Sequence, residues 1–112
     1  MNTTRQNKVS RLLQKELGMM FQRESGNVFL GQMITVTTVR ITPDLAIAKI
    51  YVSIFPAKNK NDILELIREK TSFIRGEVGR KIKSQLRIIP ELQFFVDDSL
   101  DYVEKIEDLL KS

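Results

Sequence analysis

Cations are dense along the stretch from Lys70 to Arg87, at Lys70, Arg75, Arg80, Lys83 and Arg87, and the last three recur at helical spacing. A second series, Lys8, Arg11 and Lys15, runs near the N-terminus. Lysine and arginine in such a pattern do the chemistry of polyanion recognition, through charge-assisted hydrogen bonds to phosphate oxygens. Covalent and acid–base chemistry has little to work with. The sequence contains no histidine and no cysteine, so it lacks imidazole ligands, thiolates and every Ser-His or Cys-His arrangement. Neither catalytic residues nor a cofactor is expected. Asp97, Asp98 and Asp101 resemble a magnesium cluster, but acids at a helix start explain them as caps, and no metal site is assigned.

The net charge of +4 hides a sharp division along the chain. Residues 68–87 carry seven bases against Glu69 and Glu77, whereas residues 88–112 carry seven acids against Lys105 and Lys111. Basic clustering on a small protein is an electrostatic footprint for polyanions, and a solvated charged surface is the plainer reading of the same pattern. A chain of 112 residues has room for one modest core, and a single domain over 1–112 is expected. Its apolar runs are too short to span a bilayer, and the N-terminus lacks the apolar stretch of a signal peptide, so a cytoplasmic location is expected.

These cations need elements to position them. Val9, Leu12, Leu13, Leu17, Met20 and Phe21 form a helical stripe, capped by Thr3 or Thr4 and ended at Ser25-Gly26. Lys8, Arg11 and Lys15 then fall on its polar side. From Gln32 to Phe55 the period becomes two, with a turn at Thr42-Pro43-Asp44 between two strands. The second strand should place Ala46, Ala48, Ile50, Val52 and Ile54 inward, and Lys49, Tyr51 and Ser53 outward. Tyr51 and Lys49 could serve there as a base-stacking platform or simply as outer-face residues.

After Pro56-Ala57, Asn59 or Asn61 caps a helix with Ile63, Leu64 and Ile67 buried. The stripe falters at Lys70, Thr71 and Ser72, which predicts a kink, with Thr71 or Ser72 as a fresh cap. A second helix over Phe73–Leu86 should bury Ile74, Val78, Ile82 and Gln85. It should expose Gly76, Arg80, Lys83 and Arg87 on the opposite side. Pro90 ends the helix, Leu92–Val96 forms a third strand, and Tyr102, Val103, Ile106, Leu109 and Leu110 form the stripe of a last helix. The expected fold is α+β.

The order α-β-β-α-kink-α-β, plus a C-terminal helix, is that of a type II KH-like domain, an RNA-binding fold. The phrases ITPDLAIAKIYVSIF, SFIRGEVGRKI, LRIIPELQFF and DDSLDYVEKIEDLL closely resemble the ribosome-binding factor A family. The resemblance runs from about Lys8 to Leu110. It implies a non-enzymatic factor that binds free 30S subunits and small-subunit ribosomal RNA. It also implies support for late 30S maturation, 16S rRNA 5′-end processing and growth in the cold. In place of a KH GxxG loop the family has an Ala-x-Gly kink, where this chain has Lys70, Thr71 and Ser72. Gly76-Glu77-Val78-Gly79 matches GxxG literally, but too few residues follow it before the strand, and Glu77 would repel the phosphates such a loop clamps. It is read as lying inside the helix.

RNA contact is assigned to Lys70, Arg75, Arg80, Lys83, Arg87, Lys8, Arg11 and Lys15, in a monomeric protein. The alternatives are a protein-interaction module using the charge asymmetry, and a KH-like RNA binder outside ribosome assembly.

Overall fold

In a computed structural model, residues 4–26, 29, 31–55 and 60–97 are described. The expected final helix, the Thr3 and Asn59 caps, Pro56-Ala57, Asp98 and Asp101 lie outside them. The elements are α1 (Thr4–Glu24), β1 (Met33–Ile41), β2 (Ile47–Phe55), α2 (Lys60–Glu69), α3 (Thr71–Ile82) and β3 (Glu91–Val96). This is the α+β, type II KH-like order. The sheet runs β1-β2-β3, with β1 antiparallel and β3 parallel to β2.

Alternation along the strands sends one face into the core. Ile34, Val36, Val39 and Ile41 of β1, Ala48, Ile50, Val52 and Ile54 of β2, and Leu92 and Phe94 of β3 are buried. They pack with Val9, Leu13, Leu17, Met20 and Phe21 of α1, Ile63, Leu64 and Ile67 of α2, and Ile74, Val78 and Ile82 of α3. Three phenylalanines knit the layers: Phe21 lies 5.3 Å from Phe29 and 6.1 Å, edge-on, from Phe94. A register shift between Val36 and Thr38 makes Thr37 a bulge in β1.

Both outer strands have backbone carbonyls covered by side chains. Gln6, itself buried, donates to Ile41 O at 2.8 Å, and Gln14 donates to Val36 O at 3.3 Å, so α1 covers β1. On the far side Arg68 donates to Phe94 O at 3.0 Å. Covering edge carbonyls blunts the tendency of a free strand to recruit another chain.

Several expectations are corrected. β2 begins at Ile47, and Ala46 is exposed outside it, because the turn is longer than expected. Thr42 N donates to Ile47 O, and Leu45 adopts a left-handed conformation with φ 61°. Only Ala48 of the two alanines faces the core. Asn61 lies within α2 and does not precede it. The capping role expected of Asp97 is not among these corrections, because that helix lies outside the described residues. Asp97 accepts a hydrogen bond from the Thr37 hydroxyl at 2.6 Å, and its amide donates to Val52 O.

Candidate nucleic-acid interface

The break between α2 and α3 is one residue wide. Lys70 has φ −96° and ψ 12°, and Ser72, at the glycine position of the family's kink, lies within α3 without a positive φ, so neither position requires glycine. Its amide is shared between Leu66 O and Ile67 O, both at 3.1 Å, and its carbonyl accepts from Ile74 N. Neither Thr71 nor Ser72 caps α3, which has no side-chain cap bond. The Thr71 hydroxyl instead turns backwards, to Arg68 O at 2.9 Å and Ile67 O at 3.3 Å. It adds a side-chain donor to two carbonyls in the last turn of α2.

The second helix is also shorter than its stripe suggests. α3 ends at Ile82, and the chain tightens as Gln85 and Leu86 amides both donate to Ile82 O. Gln85 is therefore exposed, and Lys83 and Arg87 follow the helix as its C-cap residue and connecting-segment residue. The cause is the connection to β3, where Glu91 N must reach Ala46 O at 2.8 Å. Arg75 holds that connection against α3, donating from Nη2 to Ile89 O at 2.7 Å and from Nε to Pro90 O at 3.3 Å. Pro90 is fully buried. Gly76 and Gly79 do lie inside α3. A Cβ on Gly76 would meet nothing within 4 Å, so that face of the helix is open to a close approach. At Gly79 a Cβ would make only ordinary contact with Ile89 at 3.6 Å, so close packing does not require glycine there.

This geometry separates the candidate cations into groups. Lys8 and Arg87 come together, lining a cleft of about 450 Å³ with Arg5, Val9, Leu12, Gln85 and Leu86. Arg5 and Arg87 also line the adjoining cleft beside Pro43, Asp44 and Ile88. Arg5 was not singled out in the sequence, although it stands three residues before Lys8 and so on the same side of α1. Lys70, Arg80 and Lys83 are exposed on the α2–α3 side. Arg11 is exposed on α1, while Lys15 lines a different cleft, between α1 and β1.

Two acids temper the basic surface. Glu77 pairs with Arg80 one turn along α3 and with Arg23 of α1 at 3.2 Å, tying the helices together. Asp44 sits at the rim of the second cleft. Its carboxyl is held below the usual carboxylate range, first by the Thr42 hydroxyl and then by the Ala46 amide. Among the described residues no group of acids is arranged to hold a metal ion.

A three-stranded sheet layered against helices, with a basic cleft beside them, defines the class: an α+β domain of the KH-like type. The family follows from comparison. A family model described as Ribosome-binding factor A matches residues 5–110, and the chain belongs to that family. A ribosome-binding factor A of Christiangramia forsetii is 46% identical over 97% of this chain and 84% of its own length. One from Cytophaga hutchinsonii is 43% identical over 98% and 83%. The crystal structure of ribosome-binding factor A from Thermus thermophilus superposes with TM-score 0.67 at 19% identity, covering 81% of this chain and 94% of that one. A Thermus thermophilus homology model of the factor, fitted into the cryo-EM map of a 30S complex, gives TM-score 0.62 at 21% identity, covering 80% and 91%.

Proposed function

We propose that this protein is a non-catalytic factor of the cytoplasm that binds free 30S ribosomal subunits as a monomeric, single-domain unit. It supports their late maturation, including 5′-end processing of 16S rRNA. The observation that carries the reading is the cleft where Arg5 and Lys8 of α1 meet Arg87 from beyond α3. Cations distant in sequence converge there on one surface. The family membership, and a relative placed on a 30S subunit, supply the target.

Lys70, Arg80 and Lys83 extend the docking surface along the kinked helix pair, with Arg11 and Lys15 on the α1 flank. Phosphate contacts give affinity and registration, and the shape of folded RNA gives selectivity. Arg75 acts on this surface indirectly, by fixing the segment that carries Arg87. Co-sedimentation with free 30S subunits, mature 30S subunits and 70S ribosomes tests the reading. Enrichment on free or immature 30S particles is expected, together with loss of binding in Arg80→Glu/Lys83→Glu. Equal binding to all three particles by the wild type would refute it.

A further inference from the structure

The sheet face turned away from the helices carries a feature that the basic clefts do not use. Tyr51 of β2 and Phe95 of β3 are cross-strand partners whose rings stack at 5.4 Å between centroids and 28° between planes. That spacing is close to the roughly 4.8 Å between neighbouring strands, so the stack runs across the sheet. Arg68 reaches round the β3 edge to close one end, with its guanidinium carbon 6.0 Å from the Phe95 centroid. It is itself held by Glu65 at 3.1 Å and by Phe94 O at 3.0 Å.

The other end of the stack is different. The register puts Thr38 of β1 beside Tyr51, and a threonine side chain is too short to cover a phenol ring. Among the described residues Phe95 is the one ring stacked on Tyr51, so its far side, above β1, carries no aromatic partner there. Two cations lie toward one end of this stretch of sheet, and the Asp97 carboxylate, bonded to the Thr37 hydroxyl, lies toward the other. Lys49 precedes Tyr51 by two residues and so shares its face, and its cross-strand partner is Arg40. Both are exposed, and neither forms an ion pair among the described residues. The hydroxyl of the bulge residue Thr37 lies 3.2 Å from Tyr51 O, which steadies the backbone that carries the ring.

We propose that this face is a second RNA-binding surface, one that takes single-stranded RNA. An unpaired base stacks on the side of Tyr51 away from Phe95, and the flanking phosphates lie on Lys49 and Arg40. Stacking is indifferent to base identity, since every base presents a π-face, so the surface selects unpaired strands and not a sequence. The ring is already held against Phe95, which lowers the ordering cost of binding on its other side. Flanking cations favour a polyanion over an apolar peptide as occupant. The inference rests on RNA being the ligand, and it adds a place and a structural class of RNA to that reading.

The test uses the full chain and a fluorescein-labelled oligouridylate of about ten nucleotides. The chain has no tryptophan and two tyrosines, Tyr51 and Tyr102, so in a Tyr102→Phe background intrinsic fluorescence reports Tyr51 alone. Quenching on binding is expected. Tyr51→Leu should weaken the oligonucleotide about tenfold, and Tyr51→Phe should restore it. Arg80→Glu/Lys83→Glu should lose 30S association yet still bind the oligonucleotide, which separates failure of this inference from failure of the docking proposal. Binding without quenching, or Tyr51→Leu binding like the wild type, would overturn the inference. So would a Tyr51→Leu defect in 30S association from a protein that binds no oligonucleotide, because it would assign the face to a ribosomal protein.

Discussion

Arginines of similar appearance in the sequence do different work. Arg75 and Arg87 both belong to the basic series after Lys70, yet Arg75 donates to two backbone carbonyls and Arg87 lines a cleft. Charge pattern alone could not separate them, because the carbonyls of Ile89 and Pro90 reach Arg75 only once the chain has folded back. Arg75→Ala should therefore cost stability, about 1–3 kcal/mol in urea unfolding, from two lost carbonyl partners. Unchanged stability with weakened RNA binding would show instead that Arg75 is a contact residue. Asp44 makes a prediction in acid. Its folded-state pKa is depressed, chiefly by the Thr42 hydroxyl, so its stabilising contribution is present above the ordinary carboxylate range and fades as pH falls through it. The stability gap between wild type and Asp44→Asn should be constant above the ordinary carboxylate range and narrow as the pH falls below it. A gap independent of pH would contradict that origin.

At the scale of elements, periodicity carried most of the fold. The stripes of α1 and α2 and the inward alternation of β1 and β2 are local properties that burial rewards directly. What escaped was the length of α3. Gln85 and Leu86 continue the wheel, but the need to bring Glu91 to Ala46 ends the helix at Ile82. The kink position was legible, and its mechanism was not: Thr71 closes the helix before the break and leaves α3 without a side-chain cap. Thr71→Val keeps the shape and removes the hydroxyl, so it should destabilise by about 1 kcal/mol in thermal or urea unfolding. A stabilised variant would show that the hydroxyl is dispensable at the break. Tyr51 was visible as an outer-face residue, but its partner Phe95 depends on the parallel register of β3, which no local pattern reveals.

For the whole molecule, cations distant along the chain share a surface only through folding. Arg5 and Arg87 lie near opposite ends of the described residues and share two adjoining clefts. Sequence reasoning reached Lys8 and Arg87 separately and passed over Arg5, because a single arginine before a helical stripe carries no signal until α3 is placed beside α1. Glu77 restrains the same surface by pairing with Arg23 and Arg80. Glu77→Gln should strengthen association with 30S subunits at low salt, by releasing both cations. The stability cost should stay below about 1 kcal/mol, as is usual for exposed pairs. Weaker association would mean that Glu77 positions Arg80 for contact.

Salt dependence tests the docking claim most directly. Each phosphate neutralised by a lysine or arginine contributes about 0.7–0.9 to the slope of log affinity against log salt concentration. Association with free 30S subunits should fall steeply with salt in the wild type. The folded triple variant Arg5→Ala/Lys8→Ala/Arg87→Ala should show that slope reduced by about 2–3 units, with weaker binding at every salt concentration. An unchanged slope and affinity in that variant would contradict the placement of the ribosomal RNA contact in this cleft.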